Sequence, residues 1–551
     1  MSTQPPVPSP GENGHGDRPR ASSPASSSSD ILGFGSQLQL TIRDKHLLVG
    51  QDGNAIAKTK PGRTCAGICP PARAPKSRSI PLYNILWAEL SQDQGTLTID
   101  FAEEVTKTQL RVAQLSYPIN ALADSNNAVP TTDTINKWTE TLLAAAYGPA
   151  TRRKRAYVLV NPHAGPGRAQ AQWTQEVAPL FAAARMPTTV HTTTRSGEAI
   201  ELARTMDIDA FDIIVPCGGD GGPHELFRGL GARADARRAL ATVAVAHVPC
   251  GSGNALACNT LGTPKAGRAA LAIVKGVPTP VDLVSITQGE TRSLSFLSQT
   301  LGVMAEADLG TEHLRWMGEH RFTYGTVKQI LKKKEYACDL WVKMEIETKE
   351  AIRAHYKRER ENSSDKMTTT SSSTTTGSRV GGGRGSTAES EVSAATGEGL
   401  PPLKYGTVAD TVPEEWTKVD ADHVGTFFAG NMAWMAPDVN FFTAAHFSDG
   451  FLDIYLVDGD VPAAKVPGLL LSCQNNSFFD HPLVKYFKVS AFRIVPKYNN
   501  GTAEGGLISI DGEKAPFAPF QAEVHQGLGL VITKTGRMQA PGPKGWESAG
   551  M

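Results

Sequence analysis

The sequence predicts an α/β unit built on a mostly parallel sheet, an antiparallel β-sandwich after it, and a smaller β-rich module in front. Three observations carry this prediction. Between residues 153 and 285, continuous apolar runs alternate with helical stretches, the pattern of a parallel sheet covered on both faces. From residue 286 to 535, strand-like segments dominate. Ahead of both, residues 35–148 hold several short strand-like runs and then one amphipathic helix.

Residues 1–34 are rich in Pro, Ser and Gly and bury too little apolar surface to offset ordering entropy, so a disordered start is expected. The runs LQLTI, KHLLVG, LYNILWAEL, TLTIDFA and TQLRVAQLSY then read as strands between turn residues. TTDTINKWTETLLAAAYG follows as a helix that Thr131 or Thr132 caps. Strands closed by a single helix resemble a pleckstrin-homology-like module. In the α/β unit the strand runs are AYVLV (156–160), PTTVHTT, FDIIV (211–215) and ATVAVAHV (241–248). RAQAQWTQEVAPLFAAARM, SGEAIELARTM, HELFRGLGARADARRAL and NALACNTL are the helical stretches between and after them. The β-rich half reads as LSFLSQTL, CDLWVKMEIET, GTFFAGNMAWMA, GFLDIYLV, FKVSAFRIVP, GLISIDGE and FQAEVHQ, with residues 536–551 as a tail. Within it, residues 361–400 are Ser-, Thr- and Gly-rich and almost free of large apolar side chains, which predicts a disordered insertion.

A chain of 551 residues exceeds one compact core, so two or three folded units are expected. Hydrophobic residues at 40% and charged residues at 20% suit a globular protein diluted by polar linkers. Lys+Arg and Asp+Glu both number 55, and this balance excludes the large basic excess of a nucleic-acid binder. Basic patches are local: Arg152 to Arg155, Lys332 to Lys334, and Arg353 to Arg360. Seven scattered cysteines form no disulfide framework, and reduced cytosolic thiols are the simplest reading. The N-terminal stretch lacks the apolar segment of a signal peptide, and no window approaches the ~20 apolar residues that span a bilayer. A cytoplasmic protein is expected, not secreted, soluble or peripheral to a membrane.

Three glycine-rich turns follow three of the apolar strands. They are Asn161-Pro162-His163-Ala164-Gly165-Pro166-Gly167, then Gly218-Gly219-Asp220-Gly221-Gly222, then Gly251-Ser252-Gly253-Asn254 leading into a helix. In an open parallel sheet the strand C-termini share one edge, where ligands bind. Glycines there admit close backbone approach, and helix-start N–H groups favour phosphate. One such loop is an ordinary tight turn; three at one edge predict a nucleotide site.

NPHAGPG, GGDGGPHELFRGL and PCGSGNALA, in this order and spacing, resemble the catalytic domain shared by diacylglycerol and sphingosine kinases. GVMAEADLGTEHLRWMGEHRFTYG (302–325) resembles a segment of the sphingosine-kinase branch, and IDGE (510–513) the family's closing motif. The resemblance covers residues 153–535. It implies a Rossmann-like nucleotide-binding domain, a β-sandwich lipid-binding domain, and an active site in the cleft between them. It implies ATP and Mg²⁺, and phosphorylation of the primary hydroxyl of a sphingoid long-chain base such as sphingosine or dihydrosphingosine. No GxxxxGK[ST] motif is present. By the resemblance Asp220 is the catalytic aspartate and general base. Asn161, Gly165, Gly167, Thr193, Gly219, Gly221, Glu225, Gly251, Ser252, Gly253 and Asn254 match nucleotide-contacting positions. Arg315 and Arg321 match residues on the ATP phosphates, and Asp511, Gly512 and Glu513 the final nucleotide or metal contacts; metal ligands are left unassigned. Asp308 and Glu312 are the substrate-side acids.

Asp308, Glu312 and Arg315 fall at i, i+4 and i+7, one helix face, which spacing alone reads equally well as a solvated, salt-bridged surface. The resemblance gives Asp308 a physical role. A sphingoid base carries an ammonium and diacylglycerol does not, so a carboxylate there rewards the amine and leaves a buried charge unpaired against a neutral lipid. Three departures from the family pattern stand out: Arg228 in place of an asparagine, Glu306 in place of an aspartate, and Gly218 where sphingosine kinases often carry serine. Gly218 keeps a diacylglycerol or ceramide kinase open; a catalytically silent lipid-binding adaptor is the rival from another class, against which Asp220, Glu225, Ser252, Arg315 and Arg321 together speak. An NAD kinase shares the GGDG turn but not the 302–325 segment. The lipid substrate calls for peripheral membrane contact, for which Lys332–Lys334, residues 353–360 and lipidation of Cys65 and Cys69 are candidates. Homodimerisation is left open.

Overall fold

The computed structural model describes residues 30–34, 38–50, 78–91, 95–119, 130–310, 324–325, 329, 335–370, 399–437, 439–497 and 506–546. The chain divides into two compact units. The smaller comprises residues 1–82, 90–96 and 117–142. Its sheet runs in the order Ile31–Phe34, Leu38–Arg43, His46–Gly50 and Arg78–Pro81, antiparallel throughout. Asp44 and Lys45 both have positive φ (49° and 61°), which a two-residue hairpin matching the strand twist requires. Alternation along His46–Gly50 buries Leu47 and Val49 beside Leu40 and Ile80. Thr131 Oγ1 accepts the Thr134 N–H at 3.2 Å, the cap expected for the helix Thr132–Tyr147.

The larger unit takes residues 83–89, 97–116 and 143–551. Ile85–Ser91, Thr96–Glu104 and Leu110–Pro118 form a separate three-stranded sheet. The division therefore falls inside the stretch 35–148 expected as one module.

The expected parallel sheet is present. Its order is Thr188–Thr192, Ala156–Val160, Ile213–Gly218 and Ala244–Val245, each neighbour parallel. Val248–Pro249 also pairs parallel with Ile213–Gly218, so the expected strand 241–248 is broken at Ala246 and His247. Ile213–Gly218 is buried at every position, as a central parallel strand must be.

The β-rich half does not stand apart from this sheet by hydrogen bonding. The strand Phe520–Thr533 pairs parallel with Ala244–Val245 at Val531, and antiparallel with both Val277–Gln288 and Lys485–Pro496. Among the described residues one mixed sheet of sixteen strands results, instead of a parallel sheet and an independent sandwich. The physical reason is length: fourteen residues let Phe520–Thr533 bond at one end to the α/β strands and at the other to the β-rich ones. One apolar cluster joins Leu159, Ile214, Phe227, Leu256, Phe296 and Val531 beneath the parallel strands. A second gathers Phe427, Phe492, Phe520 and Leu340. The helix Lys349–Thr370 enters the stretch expected to be disordered, so residues 361–370 are helical and only 371–398 lie outside the described residues.

Candidate active site

The three glycine turns meet at one sheet edge, and two glycines set how closely. The strand Ala156–Val160 ends at Asn161, whose N–H donates to the Cys217 carbonyl (3.1 Å) and whose Oδ1 accepts the His163 N–H (3.0 Å). Gly165 (φ +53°) then passes so near the third turn that a Cβ on it would lie 2.5 Å from the Cys250 carbonyl oxygen. Gly251 of the third turn stacks on Gly219 of the second, where a Cβ would lie 2.4 Å from the Gly219 Cα. Gly167 turns with φ +77°, and Ser252 is half-buried between Gly251 and Gly253.

Asp220 opens the helix Gly221–Gly231, and its side chain is 14% exposed. Its carboxylate reaches across to the helix Ala255–Leu261 that follows the third turn: the Ala255 N–H donates to Oδ2 (2.9 Å) and the Leu256 N–H to Oδ1 (3.1 Å). The Cβ position of Gly253 lies 2.9 Å from the same Oδ2. Asn254 is a clamp: with φ +58°, its Oδ1 accepts the Gly251 N–H (2.9 Å) and its Nδ2 donates to the Gly251 carbonyl (2.8 Å). Both polar ends thus bond the turn itself.

Glu225 likewise acts on backbone. Its carboxylate accepts N–H bonds from Gly197 (2.9 Å) and Ala199 (3.2 Å), fixing the start of the helix Glu198–Thr205. Thr193, on the approach to that helix, is tied to the Val160 carbonyl by its N–H (2.9 Å). Arg228 is exposed on its helix and does not enter the core near the site.

The closing motif arrives from the far end of the chain. Glu513 Oε1 lies 3.2 Å from the Cβ position of Gly221, which places it beside the start of the helix that Asp220 opens. Gly512 (φ +86°) abuts Asp308, whose Oδ2 lies 3.6 Å from the Gly512 Cβ position and accepts from Ser509 Oγ at 3.5 Å. Asp308 rides on the helix Val303–Leu309. The first turn of that helix, Val303 and Met304, lines an apolar cavity with Phe441, Tyr455, Leu469 and Phe478.

Asp511, which the resemblance makes a nucleotide or metal contact, is bonded by protein groups. It is buried (2% exposed) and accepts from Ser295 Oγ (2.6 Å) and from the N–H groups of Phe296, Leu297 and Ser298. His224 Nδ1 lies 2.8 Å from its Oδ2. Burial alone would raise its pKa, but the hydrogen bond and charge of His224 and the bonds from Ser295 and Ser298 outweigh it and hold the carboxyl below its usual range. Glu312, Arg315 and Arg321 lie outside the described residues, as do Lys332–Lys334, Cys65 and Cys69. Cys217 and Cys250 are free and buried under the turns, and burial pushes the Cys250 thiol up to about 12, which leaves it unreactive. Three neighbours escaped the sequence reading: His224, Ser295 and His247. Only His247 left a trace there, as a polar residue interrupting an apolar run.

Comparison with known proteins adds the following. Residues 155–286 match the diacylglycerol kinase catalytic domain, and residues 30–148 match a domain of unknown function (DUF7493). Sphingoid long chain base kinase 5 of Saccharomyces cerevisiae is 34% identical over 72% of this chain; the chain spans 62% of that relative's length. Sphingoid long chain base kinase 4 of Schizosaccharomyces pombe is 28% identical over 84% of this chain and 89% of its own. A diacylglycerol kinase from Bacillus anthracis str. Sterne superposes with a TM-score of 0.44 at 17% identity, over 70% of this chain and 98% of that one.

Proposed function

On the premise that this chain is a homologue of the sphingoid long-chain base kinases carrying a diacylglycerol kinase catalytic domain, we propose that it transfers the γ-phosphoryl group of ATP to the primary hydroxyl of a sphingoid base. The observation that carries the substrate reading is the position of Asp308. Its carboxylate stands beside the closing motif, on a helix whose first turn lines an apolar cavity. An ammonium at Asp308 would be attracted to its carboxylate while the alkyl chain lies in that cavity, whereas a neutral lipid offers no charge to that group.

Phosphoryl transfer needs little covalent help from protein; it needs positioning and charge stabilisation. The three glycine turns bring backbone close to the triphosphate. Asp220, held by two N–H donors at the start of the helix Ala255–Leu261, accepts the hydroxyl proton. The hydroxyl oxygen forms its bond to the γ-phosphorus as the bond to the β–γ bridging oxygen breaks, and ADP leaves.

Among the described residues, no three acidic, histidine or cysteine side chains gather as a metal cage. Mg²⁺ keeps several waters and takes one or two carboxylates together with substrate phosphates. Glu513, beside Gly221, is the carboxylate we assign to hold it. Held by Glu513, such an ion would supply positive charge to the transferring phosphoryl group.

No helix among the described residues is long and apolar enough to cross a membrane. We read the contact with lipid as peripheral. We read residues 35–148, strands followed in the chain by the helix Thr132–Tyr147, as pleckstrin-homology-like.

The test is transfer of labelled phosphate from ATP with Mg²⁺ to sphingosine, dihydrosphingosine, ceramide and diacylglycerol in mixed micelles. Asp220→Asn should abolish product, and Asp308→Asn should lower kcat/KM for the amine-bearing bases by about 30-fold or more, the scale of a desolvated charge pair. Transfer to ceramide or diacylglycerol, indifferent to Asp308→Asn, would overturn the substrate and keep the kinase.

A further inference from the structure

A buried histidine beside Asp220 has no part in the mechanism above. His247 sits in the break between Ala244–Val245 and Val248–Pro249, with its side chain fully excluded from solvent. Its Nε2 lies 3.0 Å from the Gly218 carbonyl oxygen. A carbonyl can only accept, so Nε2 carries the proton and the neutral ring presents a lone pair at Nδ1. Burial pushes the ring's pKa down against the opposing pull of Asp220 and the Gly218 bond, which keeps the ring neutral. Nδ1 has no hydrogen-bond partner among the described residues and lies 3.8 Å from Asp220 Oδ1.

Asp220 is the charged side chain acting on this ring; the other contact is the Gly218 carbonyl. The two sides of the carboxylate are therefore unlike. On one side the Ala255 and Leu256 N–H groups donate to it. A neutral Nδ1 has nothing to donate to a carboxylate, but it can accept from a carboxylic O–H.

We propose that His247 is a positioning residue for Asp220, accepting the carboxylic O–H once Asp220 has taken the substrate proton. The inference rests on the reading of Asp220 as general base. As the substrate O–H bond breaks, its proton passes to Asp220, and the new Oδ1–H turns toward Nδ1, closing the gap by ~1 Å to hydrogen-bond length. The ring stays neutral, and the proton leaves to solvent with the product. His247 thus stabilises Asp220 only after proton transfer, which strengthens the base without aiding ATP binding.

Two variants test this. His247→Leu keeps the apolar volume and removes the acceptor, and the Gly218 carbonyl retains its Cys250 N–H donor at 2.7 Å. His247→Gln restores an acceptor oxygen. Each is assayed for kcat, for KM of ATP and for the pH profile of kcat, with Asp220→Asn alongside. His247→Leu should lower kcat about tenfold with KM of ATP within about twofold. Its acidic limb should move to lower pH, because protonated Asp220 has lost its acceptor; His247→Gln should recover both most of the rate and the limb. Unchanged kcat and limb in the leucine variant, or a limb moved to higher pH, would overturn the proposal. If the leucine variant does not fold, the ring's state in the wild type decides. Labelled-histidine NMR must then show His247 neutral with Nε2–H through the acidic limb, and an imidazolium there overturns it. Activity surviving Asp220→Asn would instead sink the general-base reading itself.

Discussion

Gly251→Ala is the sharpest probe of how the turns hold Asp220. The added Cβ would sit 2.4 Å from the Gly219 Cα and 3.1 Å from the Gly219 nitrogen. Carbon–carbon contact is comfortable near ~3.5 Å, so the two turns must part by about 1 Å. Both facing atoms are backbone, and no rotamer change relieves the clash. The displacement is passed on, because Asn254 clamps Gly251 through two hydrogen bonds of 2.9 and 2.8 Å. Moving Gly251 moves Asn254 and then Ala255, whose N–H holds Asp220 Oδ2 at 2.9 Å. A shift of ~1 Å at a reacting group costs about 100-fold in rate. The folding cost of such overpacking is about 1–3 kcal/mol, small enough for the variant to be purified and assayed. Steady-state transfer from labelled ATP to sphingosine, with thermal unfolding in parallel, should show kcat down about 100-fold in a folded protein. A folded variant with wild-type kcat would refute the claim that this contact sets the position of Asp220.

Two further substitutions probe the frame around the site. Asp511→Asn removes the charge that collects Ser295, three backbone N–H groups and His224, and should cost about 3 kcal/mol. The folded-state pKa of Asp511 is depressed, so its stabilisation is present above the unfolded value near ~4 and is lost as pH falls through the folded one. The gap in thermal midpoint between wild type and Asp511→Asn should therefore narrow as pH drops from about 5 to about 3; a constant gap would show that the charge is not what matters. Lys488 is fully buried and bonded to Asp449 (2.9 Å) and Asp453 (2.7 Å). Lys488→Met should cost about 3–5 kcal/mol by stranding two buried carboxylates, and adding Asp453→Asn should recover part of it. Equal stability of the single and double variants would argue against charge stranding.

What the sequence made legible was local. Apolar continuity marked Ile213–Gly218 and Ala156–Val160 as parallel strands, and the glycine turns after them follow from chain order alone. Thr131 was a visible cap because capping acts over three residues. Pairing was not legible: Phe520–Thr533 lies beside Ala244–Val245 through contacts that leave no periodic signature in either segment. The helix Val466–Gln474 was missed because Pro467 and Gly468 argue against a helix, although Pro is tolerated in a first turn. Asp220 and Asp308 were found as motif positions, yet nothing in the motifs showed that Asn254 and Glu225 hold backbone.

That last difference bears on what the closing motif is for. Asp511 faces the interior, where it gathers the turn 295–298 and takes the His224 contact from the helix that Asp220 opens. His224 stands one helical turn beyond Asp220, since its N–H donates to the Asp220 carbonyl at 3.1 Å. One buried carboxylate thus fixes the distance between the second glycine turn and the segment bearing Gly512 and Glu513. Two residues beyond Asp511, Glu513 is delivered beside Gly221, and Gly512 against Asp308. The nucleotide side and the lipid side of the proposed site are therefore set by the same brace. A loosening at Asp511 should weaken the response to amine and to phosphate together, whereas loss of Asp308 alone should touch only the amine.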